Sequence, residues 1–483
     1  MLNTPLLIGG QWRDALDGRR FNRSHPMDRD VVSQAAAAGV ADACAAADAA
    51  QAALPGWAAT GPTQRRAALL RAADALAALG PQIAQAMAAE TGANAGWAGF
   101  NTHLAVDMLR EAAALTSQIG GQTIPTDLPG SLALTQRRPA GVVLGIAPWN
   151  APVILAVRAV AVALACGNTV VLKGSELCPA VHGLVARAFV DAALPPGVVN
   201  LVCNAPEDAA AVVQALIAHP AVRRVNFTGS TRVGRVIAAL CAQHLKPSLL
   251  ELGGKAPLLV LDDADLDAAV DGAIFGAFAN AGQICMSTER LIVDAAVADD
   301  FVQRLAQRAQ RLPAGDPRQG MAVLGPLIND AAAAHCQALV DDALARGARL
   351  LCGGRGDGVV WPATLLDHVT PAMRIYHEES FGPVKPIVRV QGVEAAIACA
   401  NDTEYGLSAA VFSRDLGRAW QVAQRIDSGI CHINGATVHD EAPMPFGGTK
   451  SSGWGRFGGQ AGIEAFTDLR WLTLQTSPRH YPF

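Results

Sequence analysis

The chain is predicted to be an α/β protein built on parallel sheets, and three observations point there. From about residue 140, short apolar runs rich in Val, Leu and Ile alternate with Ala-rich stretches of helical length. Gly167 and Pro195-Pro196-Gly197 close two of those stretches, where helices are expected to stop. A chain of 483 residues exceeds one core, and the alternation restarts after Gly253-Gly254, so two Rossmann-like lobes are expected on either side of that point.

Taken in order, residues 35–88 are Ala-rich and interrupted by Pro55-Gly56, which reads as two or three helices. A β-rich stretch is expected over 120–138. Val142 to Ile146 then reads as a strand, followed by a helical run ending at Gly167 and the β-branched strand Thr169 to Lys173. Pro179 to Leu194 reads as a helix, Val198 to Val202 and Val222 to Phe227 as strands, and Thr231 to His244 as a helix. The second series opens with a strand at Ala256 to Leu261 and a helix from Asp265 to Ala281, and runs to about Ser452.

Composition narrows the function classes. A net charge of −4 over this length argues against a nucleic-acid binder. Apolar residues make up 51% and charged ones 17%, enough for large buried sheets. The most apolar stretch, Gly141 to Cys166, is broken by Pro148, Asn150, Pro152 and Arg158, so no membrane span is expected. Met1-Leu2-Asn3-Thr4-Pro5 lacks a basic region leading into an apolar core, so no secretory signal is expected. The ten cysteines show neither C-x-x-C pairs nor metal-ligand spacing. The expectation is a cytoplasmic protein with reduced thiols and no metal.

Two residues carry candidate chemistry. Cys285 lies in Gly282-Gln283-Ile284-Cys285-Met286, and Glu251 closes an apolar strand and opens Glu251-Leu252-Gly253-Gly254-Lys255. A thiol on a small-residue loop can attack a carbonyl, and a carboxylate at a strand end can activate water. Phe227-Thr228-Gly229-Ser230-Thr231-Arg232-Val233-Gly234 passes from strand to helix, a place where phosphates bind. Its glycine spacing is not G-x-G-x-x-G, and a glycine turn there also has purely structural uses. Lys173-Gly174-Ser175-Glu176 ends the preceding strand, where ligands gather in open α/β sheets.

Together with Pro148-Trp149-Asn150, Glu379-Ser380-Phe381-Gly382-Pro383 and Pro445-Phe446-Gly447-Gly448-x-Lys450-x-Ser452-Gly453, these motifs resemble the aldehyde dehydrogenase superfamily over nearly the whole chain. The resemblance implies roles residue by residue. Cys285 is the expected nucleophile, Glu251 the base for deacylation, and Asn150 with the Cys285 N–H the oxyanion hole. Lys173 and Glu176 are expected at the adenosine ribose of NAD, Gly229, Ser230 and Gly234 near the pyrophosphate, and Glu379 at the nicotinamide ribose, with Phe381 and Trp149 beside it. Glu176 would accept from a free 2′-hydroxyl and repel a 2′-phosphate, which favours NAD over NADP. The family usually has Pro where this chain has Gly174, so a more flexible strand end is expected there. The resemblance further implies residues 1–118 and 139–252 as the NAD-binding domain and 253–452 as the catalytic domain. Residues 119–138 and 465–483 form a small β oligomerisation arm in this reading, giving a homodimer or homotetramer.

Gln283 to Arg290, Thr437 to Phe446 and Trp454 to Gly459 are similar to the branch acting on salicylaldehyde, vanillin and benzaldehyde. Arg158 follows Asn150 by about two helical turns, close to the same face, and can meet a ring oxygen. Ile284 and Met286 would supply apolar walls, and Trp97 and Phe446 are candidates to pack on the ring. His439 and Asp440 form either a polar cluster at the pocket mouth or an ordinary loop. The expected function is NAD-dependent oxidation of an aromatic aldehyde to its acid. A semialdehyde or aliphatic aldehyde dehydrogenase using NAD(P) is the alternative. A coenzyme A-acylating enzyme often lacks a glutamate at the Glu251 position, and a non-catalytic structural member usually loses one of Cys, Glu and Asn. A Cys-His hydrolase is excluded because no His lies in the motifs around Cys285.

Overall fold

The computed structural model describes residues 1–483. Its first sheet has eight strands, in the order Gly453–Trp454, Ser248–Glu251, Val222–Thr228, Val142–Ile146, Thr169–Lys173, Val199–Val202, Leu6–Ile8, Gln11–Arg13. The five strands from Ser248–Glu251 to Val199–Val202 are mutually parallel, and the outer strands are joined on by antiparallel pairings. The second sheet has seven strands, ordered Arg349–Cys352, Thr364–Asp367, Val384–Val390, Thr288–Asp294, Ala256–Val260, Ser408–Phe412, Ile430–Ile433. Only its Arg349–Cys352 edge runs antiparallel. A three-stranded antiparallel sheet joins Thr467–Gln475, Ser131–Pro139 and Thr123–Ile124.

The strands read from the sequence match to within a residue or two at their ends, and Val142–Ile146, Thr169–Lys173 and Ala256–Val260 are short, largely apolar runs buried on both faces. The short N-terminal strands went unread, since three-residue strands carry no usable period. The Ala-rich segment forms three helices, Val40–Ala58, Pro62–Ala78 and Gly80–Thr91. Contrary to the expected break, the first runs through Pro55-Gly56. Trp57 is buried there and its indole N–H donates to the Leu164 carbonyl at 3.1 Å, a tertiary contact that holds the last turn.

The second half of the most apolar stretch becomes the helix Pro152–Ala165, buried along its entire length. It lies between the first sheet and the Ala-rich helices, in a core that also includes Ile284, Met286 and Phe446. No helix is long and apolar enough to cross a membrane. The helix expected over Asp265 to Ala281 ends earlier, at Phe278. Asn280 and Ala281 then take left-handed conformations (φ 47° and 53°) and Gly282 follows at φ 73°. A Cβ on Gly282 would lie 2.3 Å from the Gly382 carbonyl oxygen, so only glycine lets the chain turn here toward Cys285.

Candidate active site

Glu251 ends a strand of the first sheet, and the next strand, from Ala256, belongs to the second. The intervening Gly253-Gly254 admits two close neighbours. A Cβ on Gly253 would meet Glu379 Oε2 at 2.7 Å, and one on Gly254 would meet the Cys285 carbonyl oxygen at 2.5 Å. The glycines therefore gather the Glu251, Cys285 and Glu379 segments at one place between the sheets.

The Glu251 side chain is buried, and neither oxygen has a hydrogen-bond partner of ordinary geometry. Burial pushes its pKa up to about 7, against the pull of Arg158 and a loose contact with the Cys285 thiol. Burial and the neighbouring Glu251 in turn raise the Cys285 thiol well above its usual value. At neutral pH the pair therefore holds a thiol beside a half-ionised carboxyl. An unpartnered buried carboxyl is costly to keep, and here it is free to take a proton from a neighbour.

Asn150 is fixed from three sides. Its carbonyl accepts from the Trp97 indole at 2.9 Å and from Asn280 Nδ2 at 3.2 Å, while its own Nδ2 donates to the Gln283 carbonyl at 3.1 Å. Gln283 is itself pinned, accepting from the Ile328 N–H at 3.0 Å and donating to the Pro326 carbonyl at 3.3 Å. Trp97 thus turns its polar edge to Asn150 and stacks on Phe100. Ile284 and Met286 are buried on either side of Cys285.

Arg158 is buried and ion-paired to Asp440, with both side chains about 6% exposed. Its guanidinium lies 4.0 Å from the Phe446 ring centroid and 6.0 Å from that of Phe457. A cavity lined by Met108, Glu111, Val162, Ala442, Phe446 and Phe457 opens against it. Burial raises the Asp440 carboxyl and Arg158 lowers it. Of the two open readings for residues 439–440, the polar cluster is the one found: His439 Nε2 meets Glu441 at 2.8 Å and Asp440 holds Arg158.

Lys173 reaches Glu176 at 3.4 Å beside Thr169–Lys173, and Ser230 caps the helix Thr231–Gln243 by accepting from Val233 N–H. Gly229 N–H donates to the Glu251 carbonyl at 3.0 Å. Gly234 lies under Leu252, where a Cβ would be 2.4 Å from its side chain, so it serves helix–strand packing. Glu379 Oε1 accepts from Gly254 N–H at 3.0 Å, and burial raises this carboxyl to about 8. Trp149 and Phe381 meet edge-on with centroids 5.9 Å apart. The loose strand end expected at Gly174 is not found. Its N–H donates to the Val202 carbonyl at 2.9 Å, and a Cβ would meet Cys203 Sγ and His182 Nδ1, both at 2.9 Å.

Sequence reading gave no role to a buried charge cluster behind Glu379. Glu289 bonds Lys255 at 2.8 Å and Lys385 at 2.9 Å, and accepts from the Ser380 N–H and hydroxyl at 2.8 and 2.6 Å. Burial alone would raise Glu289, but the two lysines hold it at about 2. The signal available was a lone lysine inside the apolar strand Val384–Val390.

The chain matches the aldehyde dehydrogenase family over residues 12–472. It is 62% identical to a vanillin dehydrogenase of Pseudomonas fluorescens over 482 residues, covering 100% of both chains. The crystal structure of a salicylaldehyde dehydrogenase from Pseudomonas putida G7, complexed with salicylaldehyde, superposes with a TM-score of 0.99 at 49% identity, covering 100% of each chain. A betaine aldehyde dehydrogenase from Staphylococcus aureus in complex with NAD+ superposes at TM-score 0.95 and 30% identity, covering 99% of this chain and 96% of that one. A thiol and an unpartnered carboxyl meeting where two parallel sheets join, on a chain so alike from end to end, have one conclusion: this protein belongs to the aldehyde dehydrogenase family.

Proposed function

We propose that the protein oxidises aromatic aldehydes of the vanillin, salicylaldehyde and benzaldehyde type to their carboxylic acids, with NAD as acceptor. The observation that carries the chemistry is the Cys285–Glu251 pair, a thiol next to a buried carboxyl whose pKa lies near the working pH. The relatives named for vanillin and salicylaldehyde, and the aromatic wall of Phe446 and Phe457 around Arg158, support the aromatic substrate.

The residues present fit a dinucleotide. Lys173 is a buried ammonium with one long contact, Ser230 opens a helix of 13 residues, and Glu379 stands beside Trp149 and Phe381. In this reading Lys173 and Glu176 take the adenosine ribose, Gly229 and Ser230 the pyrophosphate, and Glu379 the second ribose. NAD, when bound, supplies the hydride acceptor. Cys285 loses its proton to solvent and its thiolate bonds to the aldehyde carbon, while Asn150 Nδ2 turns from Gln283 to the growing oxyanion. Loss of hydride leaves a thioester on Cys285. Glu251 then removes a proton from water, which attacks the thioester and frees the acid and the thiol. We also infer a homodimer or homotetramer formed through the antiparallel arm sheet, whose outer strand exposes Leu469, Trp471 and Leu474.

The test is kcat/KM with NAD for benzaldehyde, salicylaldehyde, vanillin, hexanal and succinic semialdehyde. Aromatic members are expected to lead by about 10-fold or more, roughly 1.4 kcal/mol of transition-state binding. A lead for hexanal or the semialdehyde would remove the aromatic reading and leave the cysteine chemistry standing.

A further inference from the structure

We propose that Asp440 is a specificity-determining residue: paired with Arg158, it makes the aldehyde pocket reject substrates that carry a carboxylate. The proposal rests on the aromatic-aldehyde reading above, takes the cavity against Arg158 as the ring site, and names the charge class it admits.

An arginine alone in an apolar pocket recruits carboxylates, because its planar fork matches their geometry. Here that fork is already engaged. Asp440 holds Arg158 in a pair about 6% exposed on each side, and Phe446 covers the guanidinium face at 4.0 Å. Asp440 Oδ1 makes no hydrogen bond of ordinary geometry, so the pair has a spare acceptor. The other charged residues of the cavity wall, Glu111 and Glu441, are also acidic. His439 contacts Glu441 but both are largely exposed.

An incoming carboxylate therefore has two routes, both unfavourable. It can displace Asp440 from Arg158 and leave Asp440 buried without a partner, or it can stay unpaired itself among acidic groups. A neutral ring meets Met108, Val162 and Phe446 with no such cost. Hydroxyl and ether substituents remain welcome, since a phenolic hydroxyl can donate to the spare Asp440 oxygen.

Three probes of one ring separate charge from size: benzaldehyde, 4-formylbenzoate and methyl 4-formylbenzoate. With the full-length enzyme and NAD at pH 8, the ester should exceed the carboxylate in kcat/KM by about 100-fold, since juxtaposed like charges are strongly disfavoured in a closed site. In Asp440→Asn the carboxylate-to-ester ratio should rise by about 10-fold or more, mainly through KM, because Arg158 is freed to pair. Asp440→Glu should keep the exclusion. Equal turnover of ester and carboxylate by the wild type would overturn the proposal, as would Asp440→Asn slowing all three probes alike, the result of a merely structural role. If Asp440→Asn does not fold, Glu111→Gln decides: a several-fold rise in the same ratio supports the acidic pocket and an unchanged ratio sinks it. Failure of the wild type on benzaldehyde and ester together, with hexanal oxidised, would instead overturn the aromatic reading, a result distinguishable from the loss of charge selection alone.

Discussion

Glu251 helps burial to raise the Cys285 thiol, whereas the thiol contact pulls Glu251 down against burial, so the two groups' chemistry is separable by substitution. Cys285→Ala should abolish NADH formation, and substantial residual turnover would remove Cys285 as nucleophile. Glu251→Gln should still release a burst of NADH and then stall, because hydride leaves before water attacks; a steady rate equal to wild type would mean another base. The pH dependence has a definite sign. In the proposed mechanism Glu251 acts as carboxylate in deacylation, and burial has moved its pKa up to about 7. Where deacylation limits, kcat should therefore climb as pH rises through about 7, and rapid-quench measurement of acyl-enzyme breakdown would show it. A flat profile between pH 6 and 8 would place the controlling step elsewhere.

At the scale of elements, the loop holding Glu379 and Phe381 is anchored from below. Ser380 is fixed by Glu289, which in turn holds Lys255, just before the strand Ala256–Val260, and Lys385 in the strand Val384–Val390. Glu289→Gln would leave two buried ammonium groups without a counter-charge, a loss expected at about 3–5 kcal/mol. The urea midpoint should fall accordingly, and surviving enzyme should show a raised KM for NAD because Glu379 is no longer held. An unchanged midpoint would mean the cluster contributes nothing net. The contact between the helix Ala95–Leu115 and the Pro148-Trp149-Asn150 turn makes a milder case. Trp97→Phe removes one of two donors to the Asn150 carbonyl, worth about 0.5–1.5 kcal/mol. A drop in kcat of up to about 10-fold with Tm nearly kept is expected, and loss of folding instead would make Trp97 a core residue only.

For the whole molecule, the arm strand Thr467–Gln475 pairs along its length with Ser131–Pro139 and leaves Trp471 about 74% exposed. Exposed apolar side chains on a projecting sheet mark an association surface. Trp471→Glu should lower the sedimentation coefficient toward that of a single chain, and an unchanged coefficient would move the interface elsewhere. Much of this architecture was legible in the chain order. Strands such as Val142–Ile146 and Thr169–Lys173 announce themselves because runs buried on both faces are continuously apolar, and Cys285 and Glu251 stand in motifs set by local backbone needs. Other features depend on partners distant in sequence. Pro55-Gly56 signals a break because the missing N–H of Pro55 is a local fact, whereas the Trp57–Leu164 bond beside it is not. Arg158 could be placed near the pocket by helical spacing, yet its partner lies in a loop 282 residues away. The same holds for Lys385, paired with Glu289 across 96 residues. Local propensity and motif spacing thus determined most of the buried strands and helices and singled out Cys285 and Glu251 as candidates by themselves. Only tertiary structure decided which buried charges are neutralised and by whom, because Coulomb energy depends on distance in space and burial, neither of which sequence separation encodes.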